Sequence, residues 1–178
     1  TKTINITVIG NPTVIASSSP TAICLGSTAT LTALGGTSYT WNPGGLTAST
    51  ITVSPLANTV YTLTGLNASG CSNSTTLSLV VNPVPSITVT ASPILICIGN
   101  SSTLTATGAA SYTWNPGGST SNPVVVTPTV TTTYTVTGIN AFGCTSIKTR
   151  PVIVSNPTLT AVASSNTLCA GSSVTLTA

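Results

Sequence analysis

The 178 residues contain no Asp, no Glu and no His, and the only charged side chains are Lys2, Lys148 and Arg150. Carboxylates and imidazoles are the usual general acids and bases, the members of catalytic dyads and triads, and the ligands of hard cations and of most zinc sites. Their absence leaves Cys, Tyr, Lys and Arg as the only groups for such chemistry, so the sequence predicts no enzyme, no metal site and no cofactor. Three scattered cations are too few for the basic footprint of a nucleic-acid binder, so no nucleic-acid partner is expected. No uninterrupted apolar run approaches the length that a membrane-spanning helix needs, so no span is expected in this segment, and no secretory leader is seen. Acidic residues ordinarily make up about half of a charged fraction near 25%, whereas here 2% of residues are charged. Such a composition suits a dense, weakly charged surface polymer.

What the chain does have is repetition. Thr59 to Cys71 reads TVYTLTGLNASGC, and Thr131 to Cys144 reads TTTYTVTGINAFGC. Tyr61, Leu63 and Gly65 recur as Tyr134, Val136 and Gly138, 73 positions later, with threonines between them. This period-two alternation belongs to a strand with one buried face. The repeat divides the chain into a closing strand over 1–10, full units over 11–82 and 83–156, and the first strands of a further unit over 157–178. The pattern leads us to expect a window from a longer array. A unit of this size buries only about 60% of its unfolded surface, so it needs a well-filled core, a disulfide or its neighbours. An apolar fraction of 40% is enough for such cores.

Each unit follows one order. TVIASSSPTAICLG is an edge-like strand broken by Ser and Pro, carrying Cys24. STATLTAL alternates Ala29, Leu31 and Ala33 with polar residues, a half-buried strand. Gly35 and Gly36 turn the chain into SYTWNPGG, where Tyr39 and Trp41 share a face. TITVSP, the Tyr61 strand and a last strand with Leu77, Leu79 and Val81 follow. Asn-Pro steps at Asn11, Asn82 and Asn156 end the closing strands, because proline has no N–H for a ladder and biases its predecessor away from helix. Short, regularly spaced strands, with Gly, Pro, Asn and Ser between them and no helical period, predict an all-β sandwich. The Thr-rich run from Thr127 to Thr137 reads as the polar face of a strand. Asn-x-Ser/Thr sequons fall at Asn5, Asn67, Asn73 and Asn100, in a chain so rich in Ser, Thr and Asn that chance supplies several.

With the tryptophan and tyrosine strands together, the pattern resembles the immunoglobulin-like fold. Trp41 and Trp114 match the core tryptophans of its strand C, and Tyr61 and Tyr134 the corner tyrosines of strand F. Ala33 and Leu63, like Ala106 and Val136, occupy the places of the familiar inter-sheet cysteines, so that disulfide is missing. The run ICxGxSxTLTA, YTWNPGG, TTTYTVTGxNxxGC is similar to the tandem Ig-like repeats of large secreted adhesins and surface proteins of Bacteroidetes-type bacteria. The resemblance implies an all-β chain of tandem immunoglobulin-like β-sandwich repeats, each as long as the spacing from Tyr61 to Tyr134.

Cys24 and Cys71, and likewise Cys97 and Cys144, are 47 positions apart, and Cys169 opens the next set. All five are disulfide candidates, because CxxC metal spacings are absent. In an Ig-like topology the two cysteines of one unit lie at opposite ends of the sandwich, about 20–25 Å apart at roughly 3.3 Å per residue, while a disulfide needs Cα atoms within about 7 Å. A cross-unit bond between Cys24 and Cys144 and in-unit pairs Cys24–Cys71 and Cys97–Cys144 both stay open. In the cross-unit case Cys71 and Cys169 would pair outside this segment or with another chain.

The resemblance implies an extracellular, cell-surface protein: the stalk of an adhesin or the body of a surface filament. Its partners would be neighbouring repeats of the same chain and identical chains in a filament. A glycan- or protein-binding Ig-like module and accessory repeats of a secreted enzyme are the alternatives.

Overall fold

In a computed structural model, residues 2–157, 161–165 and 167–177 are described. Part of the stretch assigned above to a further unit, and the first residue of the closing strand over 1–10, lie outside these. Among the described residues all regular structure is β. The chain forms two compact units, Thr1–Ser86 with Ile139–Ser146, and Ile87–Gly138 with Ile147–Ala178.

In the first unit β1 (Ile15–Ser19), β3 (Ala29–Leu34) and β5 (Thr50–Val53) form one sheet, in the order β1-β3-β5. The other sheet holds β2 (Ala22–Cys24), β7 (Ser72–Asn82), β6 (Thr59–Leu66) and β4 (Ser38–Asn42), in the order β2-β7-β6-β4. Neighbours are antiparallel except β2 and β7, which run parallel with Cys24 level with Asn82. The Ser-Pro break read from the sequence is where the chain changes sheet: β1 pairs with β3, and past Pro20 the chain pairs with β7. Proline lacks the N–H that would continue the first ladder.

The strands form where Thr, Val, Ile and Leu alternate, and the alternation sets which side is buried. In β3, Ala29, Leu31 and Ala33 face inward, and in β6 Tyr61 and Leu63 do the same. Trp41 pairs with Leu63 across the sheet, and with Ile23, Ile51 and Leu79 these side chains make one buried cluster between the sheets. Gly65 in β6 is required by close approach: a Cβ there would come within 2.8 Å of a Val14 methyl.

The second unit has β8 (Thr88–Ser92), β10 (Ser102–Thr107) and β12 (Val124–Val126) in one sheet, in the order β12-β10-β8. The other sheet runs β11 (Ser111–Asn115), β13 (Thr132–Ile139), β14 (Thr145–Ser155) and β9 (Leu95–Cys97), with β9 parallel to β14. Its core gathers Ile96, Leu104, Trp114, Tyr134, Val136 and Val152. Gly138 is again needed, since a Cβ would meet Ile87 Cδ1 at 2.7 Å. A short antiparallel pair, β15 (Val162–Ala163) with β16 (Leu176–Thr177), follows. Three strands facing four, with the first strand split between the sheets, is an immunoglobulin-like β-sandwich. Among the described residues no helix is long and apolar enough to cross a membrane.

Burial also fixes the pH response. Desolvation raises the Tyr61 and Tyr134 hydroxyls above the ordinary tyrosine value of 10.0, because burial disfavours the phenolate. The folded chain therefore keeps a proton that the unfolded chain loses. The stabilisation is complete below the unfolded value and disappears as pH rises through the folded one. With no Asp, Glu or His to titrate on the acid side, the thermal midpoint should stay level from about pH 3 to about pH 9 and fall above about pH 10. A scan of midpoint against pH checks this, and a steep acid-side loss would contradict it.

Candidate functional site

Two of the five cysteines meet in the first unit, in a disulfide between Cys24 and Cys144. Its Cα atoms are 5.6 Å apart and its ends are 120 positions apart in sequence. Cys24 ends β2, and the next residues form a tight turn in which Ser27 N–H donates to Cys24 O at 2.9 Å. Gly26 sits in this turn at φ +88°, a left-handed conformation that glycine adopts without steric cost. Leu25 N–H donates to Asn82 O at 2.8 Å, extending the parallel pairing by one residue.

The other half is the loop between β13 and β14, within the stretch Ile139–Ser146 that belongs to the same compact unit. Asn140 holds it together. Its Oδ1 accepts the N–H groups of Phe142 and Cys144, both at 3.0 Å, and its Nδ2 donates to Pro83 O at 2.7 Å. Asn140 N–H donates to Cys144 O, and Gly143 N–H to Asn140 O, both at 3.0 Å. One carboxamide thus closes the loop and ties it to the residue after Asn82. Cys144 is wholly buried, with Sγ 4.0 Å from Asn82 O. As a disulfide sulfur it has no proton to donate, so this is packing.

The same loop occurs at Asn67 to Cys71. Asn67 Oδ1 accepts from Ser69 and Cys71 N–H at 3.0 Å, and Nδ2 donates to Gly10 O at 3.0 Å. Cys71 Sγ lies 3.8 Å from Ile9 O. The Cys-x-Gly turn also recurs. Asn100 N–H donates to Cys97 O and Ser172 N–H to Cys169 O, both at 3.0 Å, with Gly99 and Gly171 at φ +89° and +90°. Cys71, Cys97 and Cys169 carry free thiols. Of the pairings left open by the sequence, Cys24–Cys144 is formed, so neither Cys24–Cys71 nor Cys97–Cys144 exists.

Sequence reasoning saw that an Asn recurs in both copies and missed what it does. The signal was there in the shared N-x-x-G-C, whose first and last residues are joined by the carboxamide. The same bonds bear on the sequons: the Asn67 and Asn73 amide nitrogens already donate to Gly10 O and Pro12 O, both at 3.0 Å. Replacing Asn140 by Ala should cost about 1–3 kcal/mol, the penalty for orphaned hydrogen-bonding groups at a partly buried site. Urea unfolding checks the cost, and Asn140→Asp should recover part of it, since its oxygens can still accept both N–H groups.

Trp41 and Trp114 are 0% and 1% exposed, and Tyr61 and Tyr134 are 5% and 6% exposed. All four lie in the buried clusters of the two sandwiches. Trp41 Nε1 donates to Ala48 O at 3.1 Å, whereas Trp114 Nε1 is buried without a partner. Two further tyrosines act as local clasps: Tyr39 OH accepts Gly36 N–H at 2.9 Å and donates to Gly36 O at 2.7 Å, and Tyr112 OH does the same with Ala109. A surface hollow lined by Leu25, Leu56, Ala57, Asn58, Val81 and Pro83 holds no ionisable group. Among the described residues no group of three or more Cys, His, Asp or Glu side chains is placed to hold a metal.

No protein-family model matches the chain, and no curated protein matches it. Among solved structures it is similar to the fibronectin(III)-like modules of Clostridium thermocellum CbhA, with 10% identity over 80% of this chain and 95% of that one, at a TM-score of 0.41. It is also similar to a Ca2+-stabilised adhesin with which an Antarctic bacterium binds ice, with 17% identity over 84% of this chain and 50% of that one, at a TM-score of 0.41. An amphioxus IgVJ-C2 molecule matches with 19% identity over 74% of this chain and 99% of that one, at a TM-score of 0.32.

Proposed function

We propose that this chain is a structural segment of a long extracellular surface protein, the stalk of an adhesin or the body of a surface filament, and has no enzymatic role of its own. Its units are tandem immunoglobulin-like repeats, bounded near 11–82 and 83–156, with parts of further repeats at 1–10 and 157–178. The observation that carries this reading is the Cys24–Cys144 bond, which encloses 120 positions of sequence. It starts at the end of β2 of one repeat and ends in the loop after β13 of the next, so pulling force passes from repeat to repeat through a covalent clasp. Disulfides persist in oxidising surroundings, which supports a location outside the cell. A nearly uncharged, Thr-rich surface supports a packed, passive polymer over a site that turns over substrate. Repeats of this kind derive stiffness from their neighbours, and the Cys24–Cys144 clasp adds to it.

Antibody raised against the Trp-Asn-Pro-Gly-Gly turn tests the reading on intact, unpermeabilised cells. Electron microscopy should find label along surface projections. Label that appears only after the envelope is opened would overturn it.

A further inference from the structure

In β14 two cations take the places of an apolar and a neutral residue of β7. Arg150 and Lys148 stand 73 positions after Leu77 and Thr75, and Leu77 packs, partly buried, against the first core. Alternation puts Arg150 on the same side of its strand as Val152, which is wholly buried. The arginine is half-buried, and its Nε lies buried with no hydrogen-bond partner. A guanidinium keeps its charge throughout the ordinary pH range, and the 178 residues hold no Asp or Glu to oppose it. A buried donor without an acceptor is costly, and more so on a charged group. The sheet edge beside these residues is open, since β9 covers β14 only over Ile153–Ser155. Ile153 N–H donates across that edge to Ile94 O at 2.8 Å, and by strand alternation the backbone of Pro151 and Thr149 points the same way. Proline has no N–H, so Thr149 N–H, between the two cations, is the next donor along the edge, and no strand faces it among the described residues. A lysine and a proline on an open edge are ordinary guards against stray pairing. They do not account for an inward arginine with a buried Nε where the first unit has leucine.

We infer that Arg150, Lys148 and Thr149 N–H form a binding site for one oxyanion group, a sulfate, phosphate or carboxylate supplied from outside these 178 residues. Arginine presents Nε–H and a terminal N–H as a planar fork that matches two oxygens of such a group, and this gives the buried Nε its acceptor. Thr149 N–H adds a main-chain donor from the open edge. Lys148 lies roughly 6.6 Å along the strand from Arg150 and adds a compact second charge. The first unit, with Leu77 and Thr75 at these places, carries no cation there, so the site belongs to one repeat and is not a property of the array.

Arg150 is the only arginine in the chain, so a single Nε–H resonance reports on it in proton–nitrogen correlation spectra. The full chain is titrated with sodium sulfate and, separately, with sodium chloride at equal ionic strength. The Arg150 Nε–H and Thr149 amide signals should move along a saturating curve in sulfate alone. Arg150→Leu installs the residue that the first unit carries at this place, so the fold should persist, while the Thr149 response to sulfate should weaken at least about tenfold, the worth of a hydrogen bond to a charged group. Lys148→Thr should weaken it by about two- to fivefold, the range for an exposed charge. A sulfated tetrasaccharide that saturates the signals at lower concentration than sulfate would place the group on a glycan, and equal concentrations would make the free ion the ligand; both support the site. Shifts of the same size in both salts, or a Thr149 response that Arg150→Leu leaves unchanged, would overturn the inference. A stalk and an oxyanion site are independent properties, and this titration reads only the second.

Discussion

Alanine at Trp41 should cost the first sandwich about 3–5 kcal/mol, the range for removing a large aromatic from a filled core. Trp41 is fully buried, lies opposite Leu63, and shares its core with Leu31, Ile23 and Leu79 from both sheets. Nothing in that cluster is polar or exposed enough to fill the hole. A domain usually has only about 5–15 kcal/mol of stability in total, so the variant should unfold well below the wild-type urea midpoint, read by far-ultraviolet circular dichroism. Alanine at Trp114 should act as strongly on the second sandwich. The phenylalanine variants should differ from each other. Trp41→Phe leaves Ala48 O without its 3.1 Å partner, whereas Trp114→Phe removes an indole N–H that is already unsatisfied. The first should cost about 1 kcal/mol more than the second, the net worth of one hydrogen bond. Equal costs would show that the indole bond contributes nothing.

The tryptophans, tyrosines and strand faces were legible because a sandwich core is written in side-chain alternation, and alternation survives in the sequence. Leu31, Leu63 and Leu79 could be placed inward from period two alone, and all are buried. The ends of the closing strands were harder. Asn-Pro steps at Asn11 and Asn82 look equivalent, yet the atoms that meet the carboxamide and the sulfur are those of Gly10 and Ile9 in one case and Pro83 and Asn82 in the other. The Asn-Pro step has moved by two positions while the strand register has not. Proline marks where a ladder must stop, but pairing decides which residue stands level with which. The cysteines show the opposite difficulty. Their spacing of 47 in both copies is symmetric, and sequence separation alone holds no distance. Only the fold brings the Cα atoms of Cys24 and Cys144 to 5.6 Å. The carboxamide clasps of Asn67 and Asn140 escaped notice because they act within one short loop, where a recurring Asn reads as a turn former.

Reducing the Cys24–Cys144 bond should change the extensibility of the chain more than any single substitution. With the bond intact, force entering at Cys24 leaves at Cys144, and the chain between these ends, 120 positions apart, stays slack when the sandwiches open. At about 3.3–3.6 Å per extended residue, single-molecule pulling in reductant should release roughly 400 Å of chain that the oxidised protein withholds. In-unit pairs would instead hide two stretches of roughly 160 Å each at the same rise per residue, so the step size separates the connectivities. The equilibrium effect has the same origin. Closing a loop of this length removes entropy from the unfolded chain worth about 4–5 kcal/mol by the chain-entropy relation, so the enclosed segment should unfold at lower urea once reduced. Serine at both Cys24 and Cys144 should reproduce the loss without reductant. Serine at Cys97 and Cys169 should leave it untouched, since neither thiol is bonded. If the double variant extends and unfolds like the oxidised parent, the clasp carries no load, and the strength of a stalk would have to come from packing alone.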